Sequence, residues 1–286
     1  MKKTVSSKCS EAACRARRQR SADTAIRFTV VLIAALLLGC SLYLLYMLYP
    51  GRAAAAITPA AAQVAVTDNA LPPTADAGMA YQNTLTFVGD SLTAHLRSRG
   101  VLDGGTATTQ VWATQSGMLN LNSDITSAKI ICPGTDQAVT ISEAARILQP
   151  PVLIVTLGTD WGVSYLSETE FKYCYGKLIQ AISDASPNTI TVLQSIFPVL
   201  DSCAVLSNQQ IDRANGWVRD LAVAYNLPYL DTQSVLKDEH GALRTDYCNA
   251  DDGIHLTASA YRVILNYIRT HAIVPPMARQ SKGATI

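Results

Sequence analysis

The chain has 286 residues, a formal net charge of +1 and 49% hydrophobic residues. That length suits one α/β domain with appendages. A near-neutral balance gives no electrostatic reason for nucleic-acid binding, so no nucleic-acid partner is expected.

The charge that exists is unevenly placed. Residues 1–27 carry Lys2, Lys3, Lys8, Arg15, Arg17, Arg18, Arg20 and Arg27 against only Glu11 and Asp23. An apolar run without a charge follows, 28–49. It matches the ~20 residues that cross a bilayer as a helix. Basic residues before the run and none soon after it predict a cytoplasmic N-terminus and a domain outside the membrane. Two rival readings are a cleaved signal peptide and a lipid-modified Cys40 in Leu37-Leu38-Gly39-Cys40. The apolar run continues past Cys40 through Met47, which favours an uncleaved anchor over both.

Residues 50–82 are rich in Ala, Pro and Thr and read as a linker. If extended, ~30 residues reach on the order of 100 Å. From residue 83 short apolar strands alternate with helical patterns. Leu85–Val88 reads as a strand ending at Gly89, and Val111–Ala113 as a weaker one. Pro151–Leu157, Thr189–Ile196 and Pro228–Leu230 complete five. Helices are predicted over 141–148, 168–185, 208–225 and 257–271, the second opening on a capping box of Ser167 and Glu170. This alternation predicts an α/β domain with a parallel sheet covered on both faces. Its ligands would bind beyond the carboxyl ends of the strands. The tail, 273–286, reads as disordered.

Two motifs fall at that end of the sheet. Gly89-Asp90-Ser91-Leu92 follows the first strand directly. A serine on such a turn is raised toward the ligand, and its own N–H faces the helix start, where an oxyanion can be held. Asp and Ser are also ordinary helix caps, so the tetrapeptide alone is weak. Asp252-Gly253-Ile254-His255-Leu256 precedes the last helix. A serine hydroxyl needs a base, and an acid three residues before His255 can orient its ring while the other nitrogen faces the serine. His95, four residues after Ser91, is the rival base, but no carboxylate adjoins it in sequence. His240 and His271 read as loop and helix-surface residues. Outside the membrane, Cys132, Cys174, Cys203 and Cys248 could pair, with Cys203–Cys248 favoured because both approach the catalytic end. Free buried thiols are the alternative, and no zinc spacing is present.

Together these two blocks resemble the SGNH (GDSL) hydrolase family over roughly 83–272. Gln194-Ser195-Ile196-Phe197-Pro198-Val199 and the closing Tyr267-Ile268-Arg269-Thr270-His271 resemble an extracellular branch found in Firmicutes-type bacteria. The resemblance implies a three-layer α/β/α sandwich like flavodoxin. It implies Ser91 as nucleophile and Asp252 and His255 as the rest of a triad, with Gly117 of Thr114-Gln115-Ser116-Gly117-Met118 as an oxyanion donor beside Ser91. The third block departs from the family. Where Gly-x-Asn-Asp is usual, this chain has Gly158-Thr159-Asp160-Trp161. An ionised Asp160 accepts hydrogen bonds and donates none, and losing one oxyanion donor costs ~10²–10³ in turnover. Three arrangements are open: a protonated Asp160, an Asp160 turned away, or a weak or inactive enzyme that still binds ligand. Trp161 is a candidate for stacking on a sugar or lining an acyl pocket, with a packed core Trp as the alternative. Trp112 and Trp217 read as structural, and Asp90 as an acid that stabilises the turn.

The expectation is a membrane-anchored serine esterase removing O-acetyl groups from carbohydrate or cell-wall polymers, with no cofactor or metal. Acyl lipids and acyl transfer are alternatives that use the same triad. A non-catalytic glycan-binding module is the competing class.

Overall fold

The structure is a computed structural model that describes residues 69–135, 137–249 and 252–273. The basic tail, the apolar run 28–49 and the C-terminal tail from 274 lie outside these residues. Among the described residues no helix is long and apolar enough to cross a membrane.

The sheet is built from β1 (Leu85–Gly89), β2 (Val111–Trp112), β5 (Val152–Thr156), β6 (Ile190–Gln194) and β7 (Tyr229–Leu230), in the order β2-β1-β5-β6-β7. Every pairing in it is parallel. Two shorter strands, β3 (Lys129–Ile131) and β4 (Ala138–Thr140), form a separate antiparallel pair. The helices are α1 (Gly78–Gln82), α2 (Ser91–Ser98), α3 (Ile141–Leu148), α4 (Glu168–Ala185), α5 (Asn208–Ala224) and α6 (Ala258–Thr270).

Counted along the sheet, this order is the flavodoxin-like one, and it reverses direction between β1 and β5. The two-residue period of the strands divides their side chains between two cores. Leu85, Phe87, Val152, Ile154 and Val192 face Leu92 and Leu96 of α2 and Tyr261, Ile264 and Ile268 of α6. Val88, Leu153, Val155 and Leu193 face the other layer, with Ile141 of α3, Phe171 and Tyr175 of α4, and Trp217 of α5. Burying each such large side chain is worth about 1.5–3 kcal/mol. Strands buried on both faces read as unbroken apolar runs, which is why Pro151–Leu157 was recognisable.

Helix starts follow local chemistry. Thr140 with Glu143, Ser167 with Glu170 and Ser207 with Gln210 form capping boxes at α3, α4 and α5. Each satisfies two backbone groups that the helix leaves open. Trp112 and Trp217 are buried as core residues.

Two expectations need correction. Residues 69–82, read as linker, are packed onto the domain. Ala70 bridges Tyr229 in parallel at the open edge of β7, and Leu71 N–H donates to Tyr229 O at 2.8 Å. Thr74 and Ala77 bond the end of α6 through Thr270 O and Arg269 O. The physical reason is non-local: an unpaired strand edge and a helix terminus offer backbone partners that composition does not reveal. The favoured Cys203–Cys248 disulfide is not formed, and Cys132, Cys174, Cys203 and Cys248 are all free thiols. The Cys248 thiol donates to Asn249 O at 3.1 Å instead. Burial, reinforced by the Asp252 charge and Cys203, pushes Cys248 up to about 11, which keeps it protonated.

Candidate active site

Gly89 ends β1 where the chain passes closely under the end of β5. A Cβ there would lie 2.1 Å from Thr156 O and 2.2 Å from Thr93 Oγ1. Only glycine allows this approach. Asp90 follows as the N-cap of α2, with Oδ1 accepting from Leu92 N–H at 3.3 Å. Its other oxygen reaches across to the loop after β5 and accepts from Gly158 N–H (3.2 Å) and Thr159 N–H (2.9 Å). Asp90 is therefore a clamp between the ends of the two strands that flank the point of reversal. It is fully buried. Burial first, then the charge of Asp160, push its pKa up to about 7 against the three N–H bonds.

The clamp brings Asp160 onto Ser91. Asp160 Oδ2 accepts from Ser91 N–H at 3.0 Å, and Oδ1 accepts from the Ser91 hydroxyl at 2.7 Å. Of the arrangements expected from the sequence, an Asp160 turned away is the one this geometry overturns. The carboxylate has turned toward the serine and holds both of its donors. The serine hydroxyl has one proton, and it is given to Asp160 and not to His255.

The last motif folds as a compact turn ahead of α6. Asp252 Oδ1 accepts from Ile254 N–H (2.7 Å) and His255 N–H (2.8 Å), and Oδ2 bonds His255 Nδ1 at 2.5 Å. Partial burial works to raise the pKa of Asp252. The bonds from the His255 ring and from the two N–H groups outweigh it and hold the carboxylate at about 2. An anionic partner at Nδ1 leaves Nε2 as the nitrogen open to other chemistry. The turn is tied to the loop after β6 by the bond from Leu200 N–H to Gly253 O (2.9 Å). That loop is fixed in turn by buried Asn215, which accepts from Ile196 N–H at 2.7 Å and donates to Ile196 O at 2.9 Å.

Ser91 and His255 line the same pocket, of about 410 Å³, at the carboxyl end of the sheet. Thr159, Asp160, Ser164 and Tyr165 from the loop after β5 add polar and aromatic lining. Val205, Leu206 and Ile254 supply its apolar part. His95 lies just behind, its ring 4.6 Å from that of His255 and tilted by 38°. Burial, followed by the nearby His255 and Arg99, pushes the pKa of His95 down, and its Nδ1 is buried without a partner. Among the described residues no cluster of His, Cys, Asp and Glu is arranged to hold a metal ion.

Other candidates fall elsewhere. Gly117 adopts φ +80°, and its N–H closes a turn onto Thr114 O at 3.1 Å. A Cβ on it would lie 3.5 Å from that of Ala94, so its loop packs beside α2, but Gly117 does not line the pocket. In this state both expected oxyanion N–H groups are engaged, that of Ser91 by Asp160 and that of Gly117 by Thr114. Trp161 is partly exposed and also stands off the pocket. It stacks on Tyr165, with centroids 4.1 Å apart and planes 15° apart. Tyr165 is one of four lining residues that sequence reasoning missed, with Ser164, Val205 and Leu206. The one sequence signal for Tyr165 is a second aromatic four residues after Trp161 in a glycine-rich loop. His240 is exposed beside Glu239, and His271 stacks on Tyr267.

No curated protein matches the chain. Among solved structures, a GDSL-like lipase from Bacteroides thetaiotaomicron is 16% identical, with 66% of this chain and 87% of that one covered and a TM-score of 0.41. The periplasmic domain of a lipopolysaccharide acetyltransferase from Salmonella ser. Paratyphi A is 16% identical, covers 65% and 82%, and has a TM-score of 0.46. A variant of an acetyl-xylooligosaccharide esterase from Geobacillus is 12% identical, covers 66% and 94%, and has a TM-score of 0.40. The profile of the GDSL-like lipase/acylhydrolase family matches residues 87–263, which include Ser91, Asp160, Asp252 and His255. The chain belongs to the GDSL-like lipase/acylhydrolase family and is an ester hydrolase of that type.

Proposed function

We propose that this protein is a membrane-anchored, extracytoplasmic serine esterase that removes O-acetyl groups from carbohydrate. The observation that carries the reading is that His255, bonded to Asp252 at 2.5 Å, lines the same pocket as Ser91. His255, held by Asp252, takes the proton of Ser91. The serine oxygen attacks the acetyl carbonyl, and the C–O bond to the sugar breaks as His255 returns the proton to the leaving oxygen. Water, deprotonated by the same imidazole, then releases acetate and restores the serine. Nucleophile, base and orienting acid on this route are all side chains of this chain.

Turnover on this route requires Asp160 to release Ser91. While it holds the N–H and the hydroxyl, the nucleophile faces a competing acceptor and the nearest oxyanion donor is occupied. The anchor and the location outside the membrane rest on the apolar run 28–49 and the basic residues before it.

A serine-directed fluorophosphonate tests the reading on the full-length protein. Labelling of the wild type that disappears in Ser91→Ala is the expected result. Folded wild type that is never labelled refutes it. The second reading, a glycan-binding module with little turnover, is favoured by one observation, the grip of Asp160 on Ser91. It predicts sugar binding without labelling.

A further inference from the structure

The loop after β5 presents two large aromatic rings to solvent beside the reactive serine. Tyr165 is 65% exposed and Trp161 38%. Stacked aromatic surface of this size, left in water, loses the burial that usually justifies it. The rings are also held in place. Gly158 and Gly162 adopt φ +134° and +132°, a region that favours glycine. Val163 N–H bonds Gly158 O at 3.0 Å and Leu166 N–H bonds Gly162 O at 2.9 Å. A Cβ on Gly162 would come within 3.1 Å of Gly158 Cα. Tyr165 lines the pocket and Trp161 does not, so Trp161 braces the tyrosine ring from outside.

We infer that Tyr165, braced by Trp161, is the stacking wall on which the Ser91 pocket receives a neutral sugar ring. This rests on the esterase reading and assigns the residue that holds the alcohol half of its substrate. A pyranose has an apolar C–H face and a rim of hydroxyls. The pocket matches both: an aromatic ring on one wall, and Thr159, Ser164, Asp160 and His255 as polar partners. None of the residues lining the pocket is Lys or Arg. A phosphate-bearing headgroup would meet the Asp160 carboxylate without a counter-charge. The apolar lining is limited to Val205, Leu206 and Ile254 beside the tyrosine, too little for a long acyl chain. A quaternary ammonium ion would suit a cage of several aromatic faces, but Tyr165 is the one Phe, Tyr or Trp among the lining residues.

The test is a titration of full-length Ser91→Ala with acetylated xylo-oligosaccharides and with N-acetyl chito-oligosaccharides, followed by tryptophan emission. Trp112 and Trp217 are buried, so Trp161 is the reporter among the described tryptophans. Saturable binding is expected, weakened about 3- to 10-fold by Tyr165→Ala and nearly retained by Tyr165→Phe, as for loss of one stacked ring. Melting curves check that Tyr165→Ala folds, which its exposure favours. Equal affinity in Tyr165→Ala overturns the inference, as does binding of tetramethylammonium with no binding of sugar. Fluorophosphonate labelling separates the two readings. Labelled protein that binds no sugar removes only the stacking wall. Sugar binding that depends on Tyr165, with no labelling, removes only the esterase.

Discussion

Replacing Asp160 by Asn tests the chemistry of the site most directly. The carboxylate oxygens lie 3.0 Å from Ser91 N and 2.7 Å from Ser91 Oγ. An oxyanion held by the Ser91 N–H would form within roughly 4 Å of that charge, where two unit charges repel by about 4 kcal/mol at an effective dielectric of 20. Swinging the side chain away avoids part of this, so on the order of 2–3 kcal/mol of barrier remains attributable to the charge. Asn removes the charge and adds an N–H donor of the kind worth ~10²–10³ in turnover. The expected result is a rise in kcat for p-nitrophenyl acetate at neutral pH of about 10²-fold, normalised by fluorophosphonate titration of reactive serine. A second effect follows at Asp90, whose pKa of about 7 owes its second-largest push to Asp160. A carboxyl raised above its ordinary value of 3.8 holds its proton longer in the folded state. Stability therefore declines as pH rises from about 4 through 7. In Asp160→Asn that decline should be shallower when melting temperature is followed across the same range. Turnover equal to or below wild type, in a variant that melts normally, refutes the account of Asp160 as an obstacle.

Two further outcomes are expected. Asp252→Asn should lower kcat by ~10³–10⁴, because the imidazole loses the anion that orients it and stabilises its charged form. It should also remove a loss of stability in acid: Asp252 is held at about 2, so its contribution is present above its ordinary pKa and disappears as pH falls toward 2. Gly89→Ala should destabilise the fold by more than about 3 kcal/mol in chemical denaturation, since its Cβ meets backbone oxygen at 2.1 Å. Wild-type stability in that variant would mean that the ends of β1 and β5 can move apart.

Much of the architecture was legible because the signals are local. A parallel strand buried on both faces is an apolar run, and Val152–Thr156 sits inside the one expected. Helix α3 spans 141–148 and α4 spans 168–185 as anticipated, since caps and periodicity are written within a few residues of each helix start. The β3–β4 pair was missed because strands of three residues carry no measurable period. Residues 69–82 were missed because their partners, Tyr229 and the end of α6, are more than 150 positions away.

Motifs, family and the presence of an acid where an amide is usual were all readable along the chain. The sequence placed Asp252 three residues before His255, a spacing that fixes their bond through one short turn. The position of Asp160 on Ser91 and the identity of the aromatic at the pocket came from folding. Ser91 and Asp160 lie 69 residues apart and meet because β1 and β5 are neighbours at the reversal of the sheet, clamped by Asp90. The sequence shows an aromatic at Tyr165 but not where it points, because a loop has no period from which the direction of a side chain can be read.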